Sequence, residues 1–165
     1  MKNILLIIAL VVSAHAPAFA EDAAIYLVRH AEKQADSDPE LTTYGHSRAA
    51  ALAALLKDVP IAKIYSTDTR RTRQTALPTA SQKNLGVELY DPRTFNAFAE
   101  QLKAEFFAGE ASILVVGHSN TTPYLATLLS GDSFPELNED QYDHLYKVTK
   151  TPSGGLTVTI TKFNP

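Results

Sequence analysis

Three short segments of the sequence carry side chains that together could perform phosphoryl chemistry. Arg29 and His30 follow a short apolar run, three arginines lie between positions 70 and 73, and His118 follows a second apolar run. A neutral imidazole can attack phosphorus directly and form a phosphohistidine intermediate. The planar guanidinium group of arginine can donate two hydrogen bonds to one phosphoryl group. These residue types indicate a phosphate-binding pocket that contains a nucleophilic histidine.

Each of these segments also has an ordinary structural explanation. Arg29 and His30 could be a surface pair at a strand end, the arginines could form a solvated helix face, and His118 could be a turn residue. The three segments fall at corresponding ends of alternate elements, which favours one shared site. His46 and His144 lack such a context, and we interpret them as surface or capping histidines.

The elements that must position these residues follow from the pattern of apolar and capping residues. Strands of a buried parallel sheet are predicted at residues 24–28, 62–65, 87–90 and 112–116. Helices are predicted from Thr42 or Thr43 to about Lys57 and over residues 69–80, 95–107 and 123–129. Ligands bind beyond the carboxyl ends of the strands in such a sheet. Arg29, His30 and His118 fall at those ends.

The C-terminal tail has a different pattern, which predicts an antiparallel hairpin. Residues 145–150 and 156–162 are rich in β-branched side chains and are separated by a turn over residues 152–155. Leu156, Val158 and Ile160 alternate with threonines, so one face of the last strand is predicted to be buried. The predicted fold is therefore an α/β, three-layer α/β/α sandwich with a mostly parallel sheet and an antiparallel C-terminal edge hairpin.

The first twenty residues have the features of a signal peptide. Lys2 is a positive n-region, residues 4–12 are an unbroken apolar run, and Ala18-Phe19-Ala20 is a small-x-small cleavage signal. The apolar run is shorter than the roughly 20 residues that a membrane-spanning helix needs. We therefore expect a signal peptide at residues 1–20 and one domain at residues 21–165. This domain is expected to be periplasmic or secreted, without stable insertion in a membrane.

Charge and composition narrow the possible partners. Without the signal peptide, 14 basic and 18 acidic side chains remain, a net charge of −4. This balance argues against nucleic acid or an anionic membrane as the main partner. The chain has no cysteine, and its histidines lack the spacing of metal ligands, so neither a metal nor another cofactor is expected. The sequence carries no signal for an oligomeric state.

The motifs resemble those of the histidine phosphatase superfamily, also called phosphoglycerate mutase-like. The family's Arg-His-Gly motif appears as Arg29-His30-Ala31, followed by Glu32, and its Leu-Thr-x-x-Gly element appears at residues 41–45. The segment Ser-Ser-x-x-x-Arg-x-x-Gln-Thr-Ala of the family matches residues 66–76, and the second histidine is His118. The resemblance runs from about Ile25 to Thr127.

The resemblance implies that His30 is the nucleophile and that Arg29, Arg71 and His118 hold the phosphoryl group. Ala31 replaces the usual glycine, which would constrain the backbone beside the nucleophile. No motif assigns the acid that protonates the leaving oxygen, because Ser119 stands where the acid-phosphatase branch has aspartate. Mutase-like members carry a glutamate between the second arginine and the second histidine. The carboxylates of that interval include Glu88, Asp91, Glu100 and Glu105, of which Glu100 is our candidate.

We therefore expect a phosphatase that hydrolyses a small phosphomonoester through a phosphohistidine intermediate on His30. The alternative of another class is a non-catalytic module that binds or senses a phosphate ligand. Phosphoglycerate mutases are longer, and they and the known small phosphohistidine-protein phosphatases act in the cytoplasm. Exported relatives that act on sugars of the lipopolysaccharide core match the expected location better. Loops 33–40 and 90–97 are expected to wall the pocket, whereas Phe95 and Phe98 are expected in the core.

Overall fold

A computed structural model describes residues 23–165 of the chain, so the predicted signal peptide lies outside the described residues. The elements, in chain order, are β1 (Ile25–Arg29), α1 (Thr43–Leu55), β2 (Ile61–Ser66), α2 (Arg70–Lys83), β3 (Glu88–Leu89), α3 (Phe95–Ala108), β4 (Ser112–Gly117), α4 (Thr121–Ser130), β5 (His144–Lys150) and β6 (Leu156–Lys162). No helix in this part of the chain is both long enough and apolar enough to cross a bilayer.

The strands form one six-stranded mixed sheet in the order β3-β2-β4-β1-β5-β6. The pairs β3–β2, β2–β4 and β4–β1 are parallel, and β5 runs antiparallel to both β1 and β6. The predicted mostly parallel sheet with an antiparallel hairpin at its C-terminal edge is therefore confirmed.

Helices cover both faces of the sheet, as the apolar β1 strand requires. Ile25 and Leu27 pack in a core with Phe98 and Leu102 of α3 and with Leu125 of α4. The neighbouring residues of β1 point to the other face, where they meet α1 and α2 in a second core. The three-layer α/β/α arrangement is confirmed, and β1 lies between the two cores.

The first strand extends one residue further than its apolar run predicts. Arg29 pairs with Gly117 at the end of β4, and the His30 amide then donates to the Gly117 carbonyl at 2.9 Å. The sheet therefore fixes the backbone of Arg29, and this additional hydrogen bond fixes the start of His30. Both side chains begin from a rigid position instead of from a loop.

One predicted detail of side-chain burial is wrong. Ile160 is 42% exposed, although Leu156 and Val158 pack partly against the core. The buried face of β6 therefore ends before Ile160.

Candidate active site

The four residues implicated by the sequence meet at the carboxyl edge of the sheet. Arg29 and His30 end β1, Arg71 lies in the first turn of α2, and His118 directly follows β4. The imidazole rings of His30 and His118 have centroids 5.5 Å apart, and Nη2 of Arg71 lies 3.3 Å from Nδ1 of His118. The structure therefore gathers two imidazoles and two guanidinium groups in one place.

The imidazole of His30 is held in one tautomer. Its Nδ1 lies 2.8 Å from the carbonyl oxygen of Ala31, and a carbonyl can only accept, so Nδ1 carries the proton. The lone pair of the ring is therefore on Nε2. Burial, together with the charges of Arg29 and Arg71, lowers the pKa of His30 to about 3. The free protein thus presents a neutral imidazole with an available lone pair over the physiological pH range.

Both ring nitrogens of His118 have partners. The guanidinium group of Arg71 can only donate, so Nδ1 of His118 accepts and Nε2 donates to Oγ1 of Thr67 at 2.9 Å. The Thr67 hydroxyl in turn donates to Oγ1 of Thr72 at 3.1 Å. Burial, followed by the charge of Arg71, lowers the pKa of His118 to about 4. Buried hydroxyls of α2 and of the turn before it therefore orient this imidazole.

The guanidinium group of Arg29 contacts residues 131–143, which we call the acidic segment because it contains five Asp and Glu residues and no Lys or Arg. Nη1 of Arg29 lies 2.7 Å from the Asn138 carbonyl oxygen and 3.3 Å from the carbonyl oxygens of Glu139 and Gln141. The ring of Tyr142 lies beneath it, with its centroid 4.1 Å from Cζ. Backbone carbonyls and one aromatic face thus hold this arginine.

Each of the two arginines keeps one buried donor without a partner. The Nε atoms of Arg29 and Arg71 are buried and make no hydrogen bond to any group within residues 23–165. Leaving a buried donor unsatisfied costs about 1–3 kcal/mol. A phosphoryl group offers several acceptor oxygens, so its binding would satisfy donors of this kind.

The chain beside the nucleophile is tightly packed but unstrained at Ala31. The Ala31 amide donates to Oγ1 of Thr75 at 2.9 Å, and among non-glycine residues of the described chain only Asn84 has a positive φ. The expected constraint from replacing glycine is therefore not seen. Gly45 has a firmer requirement, because a Cβ there would lie 2.1 Å from the Glu32 carbonyl oxygen. This contact accounts for the glycine of the Leu-Thr-x-x-Gly element.

Several other polar residues of the sequence analysis lie outside this group. Arg70 pairs with Glu40, and Arg73 pairs with Asp68 at 3.1 Å. Glu100 is exposed on α3, where its carboxylate pairs with Lys103 at 3.0 Å and contacts none of the four site residues. His46 is exposed on α1, and His144 lies 2.8 Å from the Asp143 carboxylate.

A cavity of about 460 Å³ opens onto His118. It is lined by Thr67, Asp68, Thr69, Leu89, Tyr90, Asp91, Pro92, Arg93 and His118. Loop 90–97 therefore contributes to a wall, as expected, and loop 33–40 approaches from another side through Asp38, 3.8 Å from Nη1 of Arg71. Phe98 is a core residue stacked on Tyr90. Phe95 is half-buried and lines a separate cavity with Tyr124.

Sequence reasoning missed Thr67 and Tyr142. Thr67 lies inside the motif segment 66–76 and directly follows β2, which pairs with the strand that precedes His118. Its position at the end of a predicted parallel strand was a usable signal. Tyr142 and the carbonyls that hold Arg29 lie in the acidic segment, which matches no motif. Across residues 23–165, no group of three His, Asp or Glu side chains is arranged to hold a metal ion.

Comparison with known protein families agrees with this geometry. The model of the histidine phosphatase superfamily, branch 1, matches residues 25–93. Over this range the sequence is similar to the histidine phosphatase superfamily. The matched range contains Arg29, His30 and Arg71, whereas His118 lies beyond it. No curated protein sequence matches the chain.

Solved structures of phosphatases share the fold. The protein histidine phosphatase SixA, solved with tungstate, is 25% identical and has a TM-score of 0.71 over 84% of this chain and 96% of that chain. A mycobacterial glucosyl-3-phosphoglycerate phosphatase with inorganic phosphate is 16% identical, with a TM-score of 0.63 over 87% and 97%. A phosphoserine phosphatase from Entamoeba histolytica is 17% identical, with a TM-score of 0.63 over 87% and 97%. The expectation of a phosphatase enzyme is confirmed.

Proposed function

We propose that this phosphatase hydrolyses a small phosphomonoester through a phosphohistidine intermediate on His30. The observation that carries the proposal is the state of the His30 ring. Its Nδ1 proton is committed to the Ala31 carbonyl, its Nε2 lone pair is free, and its lowered pKa keeps it neutral. A neutral imidazole that two arginines and a second imidazole surround is suited to attack an anionic phosphoryl group.

In the first step, Nε2 of His30 forms a bond to phosphorus while the bond from phosphorus to the leaving oxygen breaks. Charge on the three equatorial oxygens is stabilised by guanidinium donors of Arg29 and Arg71, with His118 as a further donor. His118 reaches the phosphoryl group only if it exchanges one of its two resting partners, Thr67 or Arg71. In the second step, water attacks phosphorus, the P–N bond breaks, and inorganic phosphate leaves.

The test compares the mature chain, residues 21–165, with its His30→Ala variant on para-nitrophenyl phosphate. We expect kcat to fall on the order of 10⁴-fold or more, because loss of a covalent nucleophile removes the whole route. His46→Ala, which changes an exposed histidine of α1, is the matched control. Rapid quenching in base should trap a phosphorylated protein that acid then hydrolyses. Equal turnover by the His30→Ala variant would remove His30 as the nucleophile.

A phosphohistidine-protein substrate is the second candidate. SixA, a protein histidine phosphatase, is 25% identical to this chain. An imidazole leaving group can depart neutral once its ring is protonated, so it makes less demand on an enzymic acid than an alkoxide does. Measurements of kcat/KM on matched small substrates distinguish the two candidates. A kcat/KM for phosphohistidine well above that for alkyl and sugar phosphates would favour the protein substrate.

We also propose that the enzyme acts in the periplasm or outside the cell, after removal of residues 1–20. The support is the charge, apolar run and cleavage signal of that segment. Expression of the full chain in a Gram-negative host and N-terminal sequencing of the osmotic-shock fraction test this. The expected first residue is Glu21. Recovery of the intact N-terminus from the cytoplasm would contradict export.

A further inference from the structure

Two carboxylates approach the four site residues within the described chain. Oε2 of Glu139 lies 3.4 Å from Nη2 of Arg29, and Oδ1 of Asp38 lies 3.8 Å from Nη1 of Arg71. Glu100 is not one of them, because it pairs with Lys103 on α3. An acid that serves the leaving oxygen must come within hydrogen-bond reach of the phosphoryl group. Asp68 and Asp91 also line the cavity beside His118, but their carboxylates pair with Arg73 at 3.1 Å and with Arg93 at 2.7 Å. Glu139 and Asp38 are therefore the carboxylates that approach the site arginines directly.

Asp38 is the less suitable of the two. Its Oδ1 accepts the backbone N–H of Arg70 at 3.0 Å at the start of α2, in addition to facing Arg71. Moving Asp38 to a leaving group would remove this hydrogen bond from the start of α2. It is therefore better suited to a structural role.

The side chain of Glu139 is exposed and lies close to Arg29. Its side chain is 87% exposed, and within the described residues its carboxylate makes one long contact, to Nη2 of Arg29. Its backbone is held, since its own carbonyl and that of Asn138 accept hydrogen bonds from Nη1 of Arg29. The arginine that would bind the phosphoryl group thus also anchors the chain that carries this carboxylate. A phosphoryl group that binds Arg29 would displace the Glu139 carboxylate, and the flexible side chain would keep that carboxylate beside the phosphoryl group.

We propose that Glu139 is the acid that protonates the leaving oxygen, an inference that rests on the phosphatase function proposed above. A substrate monoanion displaces the carboxylate from Arg29 and gives it the shared proton, because two adjacent anions favour holding one. As His30 bonds to phosphorus and the P–O bond breaks, Glu139 transfers that proton to the leaving oxygen. The resulting carboxylate then takes a proton from the water that attacks the phosphohistidine and passes it to the departing phosphate. Glu139 is thereby returned to the carboxylate that pairs with Arg29.

The position of Glu139 explains why the motifs did not reveal it. It lies 21 residues after His118 in the acidic segment, whereas the mutase-like glutamate is sought between Arg71 and His118. The antiparallel pairing of β5 with β1 returns the acidic segment to the carboxyl end of β1. The fold, not the spacing in the chain, brings Glu139 to Arg29.

The experiment compares the Glu139→Gln variant with the mature wild-type chain on para-nitrophenyl phosphate and benzyl phosphate. The two substrates are similar in shape, but only the benzyl leaving group needs a proton to depart. We expect kcat/KM for benzyl phosphate to fall about 10²- to 10⁴-fold, and for para-nitrophenyl phosphate less than about tenfold. Glu139→Asp should recover part of the benzyl activity. Asp140→Asn, which neutralises the exposed neighbour, is the matched control and should behave as wild type.

The outcomes separate this inference from the proposed function. If wild type and His30→Ala turn over para-nitrophenyl phosphate equally, the proposed function fails. If turnover depends on His30 but Glu139→Gln changes both substrates by the same factor, only the role of Glu139 fails. A fall in KM alone, equal for both substrates, would show that Glu139 merely competes with phosphate for Arg29, and it would also overturn the inference. The exposed side chain makes loss of folding by Glu139→Gln easy to check from an unchanged thermal midpoint.

Discussion

The family model matches residues 25–93, which we call the motif region, and we call residues 112–163 the C-terminal region. The two regions position the residues of the site in different ways. In the motif region, buried side chains and close backbone contacts fix the geometry, as at Gly45 and Thr75. In the C-terminal region, the exposed acidic segment fixes Arg29 largely through backbone carbonyls.

This difference explains which parts of the site restrict the residue types in the sequence. A position that admits only glycine, or a hydroxyl that must accept a particular amide, restricts the residue type. A backbone carbonyl can be supplied by almost any residue, so the contacts to Arg29 impose no such restriction. If this view is right, substitutions in the motif region should have larger effects than comparable ones in the acidic segment.

The largest effect is expected from Gly45→Ala in the motif region. The added Cβ would lie 2.1 Å from the Glu32 carbonyl oxygen, so α1 must move away from the chain that follows His30. We expect the free energy of unfolding to fall by about 3 kcal/mol, at the upper end for overpacking. Gly86→Ala is the matched control, because nothing lies within 4 Å of a Cβ there. Urea unfolding measures the free energy of unfolding of both variants. Equal values would contradict the strict side-chain constraint that we infer for the motif region.

The sequence predicted the fold well where periodicity and capping are local properties. All ten elements were anticipated, and Thr42 does cap α1 by accepting from the Gly45 amide at 3.0 Å. Element ends were less predictable, because they depend on partners distant in the chain. β1 runs to Arg29 only because Gly117 continues the ladder. The exposure of Ile160 was likewise unpredictable, because the apolar alternation of β6 continues to this residue whereas the core contacts of Leu156 and Val158 do not.

The site residues that belong to motifs were predictable from the sequence, and the others were not. Arg29, His30, Arg71 and His118 were all named from motifs, and the structure brings them together. Tyr142 and Glu139 were not, since no short-range pattern connects them with β1. Their proximity follows from the antiparallel pairing of β5, a non-local contact.

The next largest effect is the pH dependence of stability, to which one histidine from each region contributes. The pKa of His30 is lowered to about 3 and that of His118 to about 4, whereas the unfolded chain has values near 6.5. Below about pH 6.5 the unfolded chain therefore binds more protons than the folded one, and stability falls as pH falls. Each histidine contributes at most about 1.4 kcal/mol per pH unit, down to about pH 4 for His118 and further for His30.

Urea unfolding between pH 6.5 and 4.5 measures this slope before most carboxylates titrate. Replacement of either histidine by asparagine should reduce the slope by up to about one proton. Saturating phosphate should also reduce it, because a bound anion favours the protonated rings. A slope that His118→Asn lowers and His30→Asn leaves unchanged would contradict the deeper burial assigned to the motif region.

A smaller effect is expected from Thr67→Val, a nearly isosteric change that removes the hydroxyl partner of His118. Loss of the 2.9 Å hydrogen bond to Nε2 should lower kcat/KM roughly tenfold, because the imidazole is no longer oriented. Thr67→Ser keeps the hydroxyl and should restore most of the activity. A purely structural role would instead lower the thermal midpoint in both variants and leave kcat/KM of the folded enzyme near that of wild type.

The smallest effect is expected from Tyr142→Leu in the acidic segment. The ring of Tyr142 contacts Arg29 through its face, at 4.1 Å from Cζ, while carbonyls hold the same guanidinium group from the side. Loss of such a cation–π contact at a half-exposed position should raise KM for para-nitrophenyl phosphate roughly threefold and leave kcat nearly unchanged. Tyr142→Phe keeps the aromatic face and should match wild type.

Tyr44→Leu provides the control for this measurement, because Tyr44 also lies over an arginine, Arg48, at 5.4 Å but away from the site. It should leave KM unchanged. If Tyr142→Phe loses as much as Tyr142→Leu, then the phenolic hydroxyl matters and the C-terminal region does depend on a particular side-chain type there. The division between side-chain constraints in the motif region and backbone constraints in the acidic segment would then be wrong, because both regions would hold the phosphoryl site by specific polar groups.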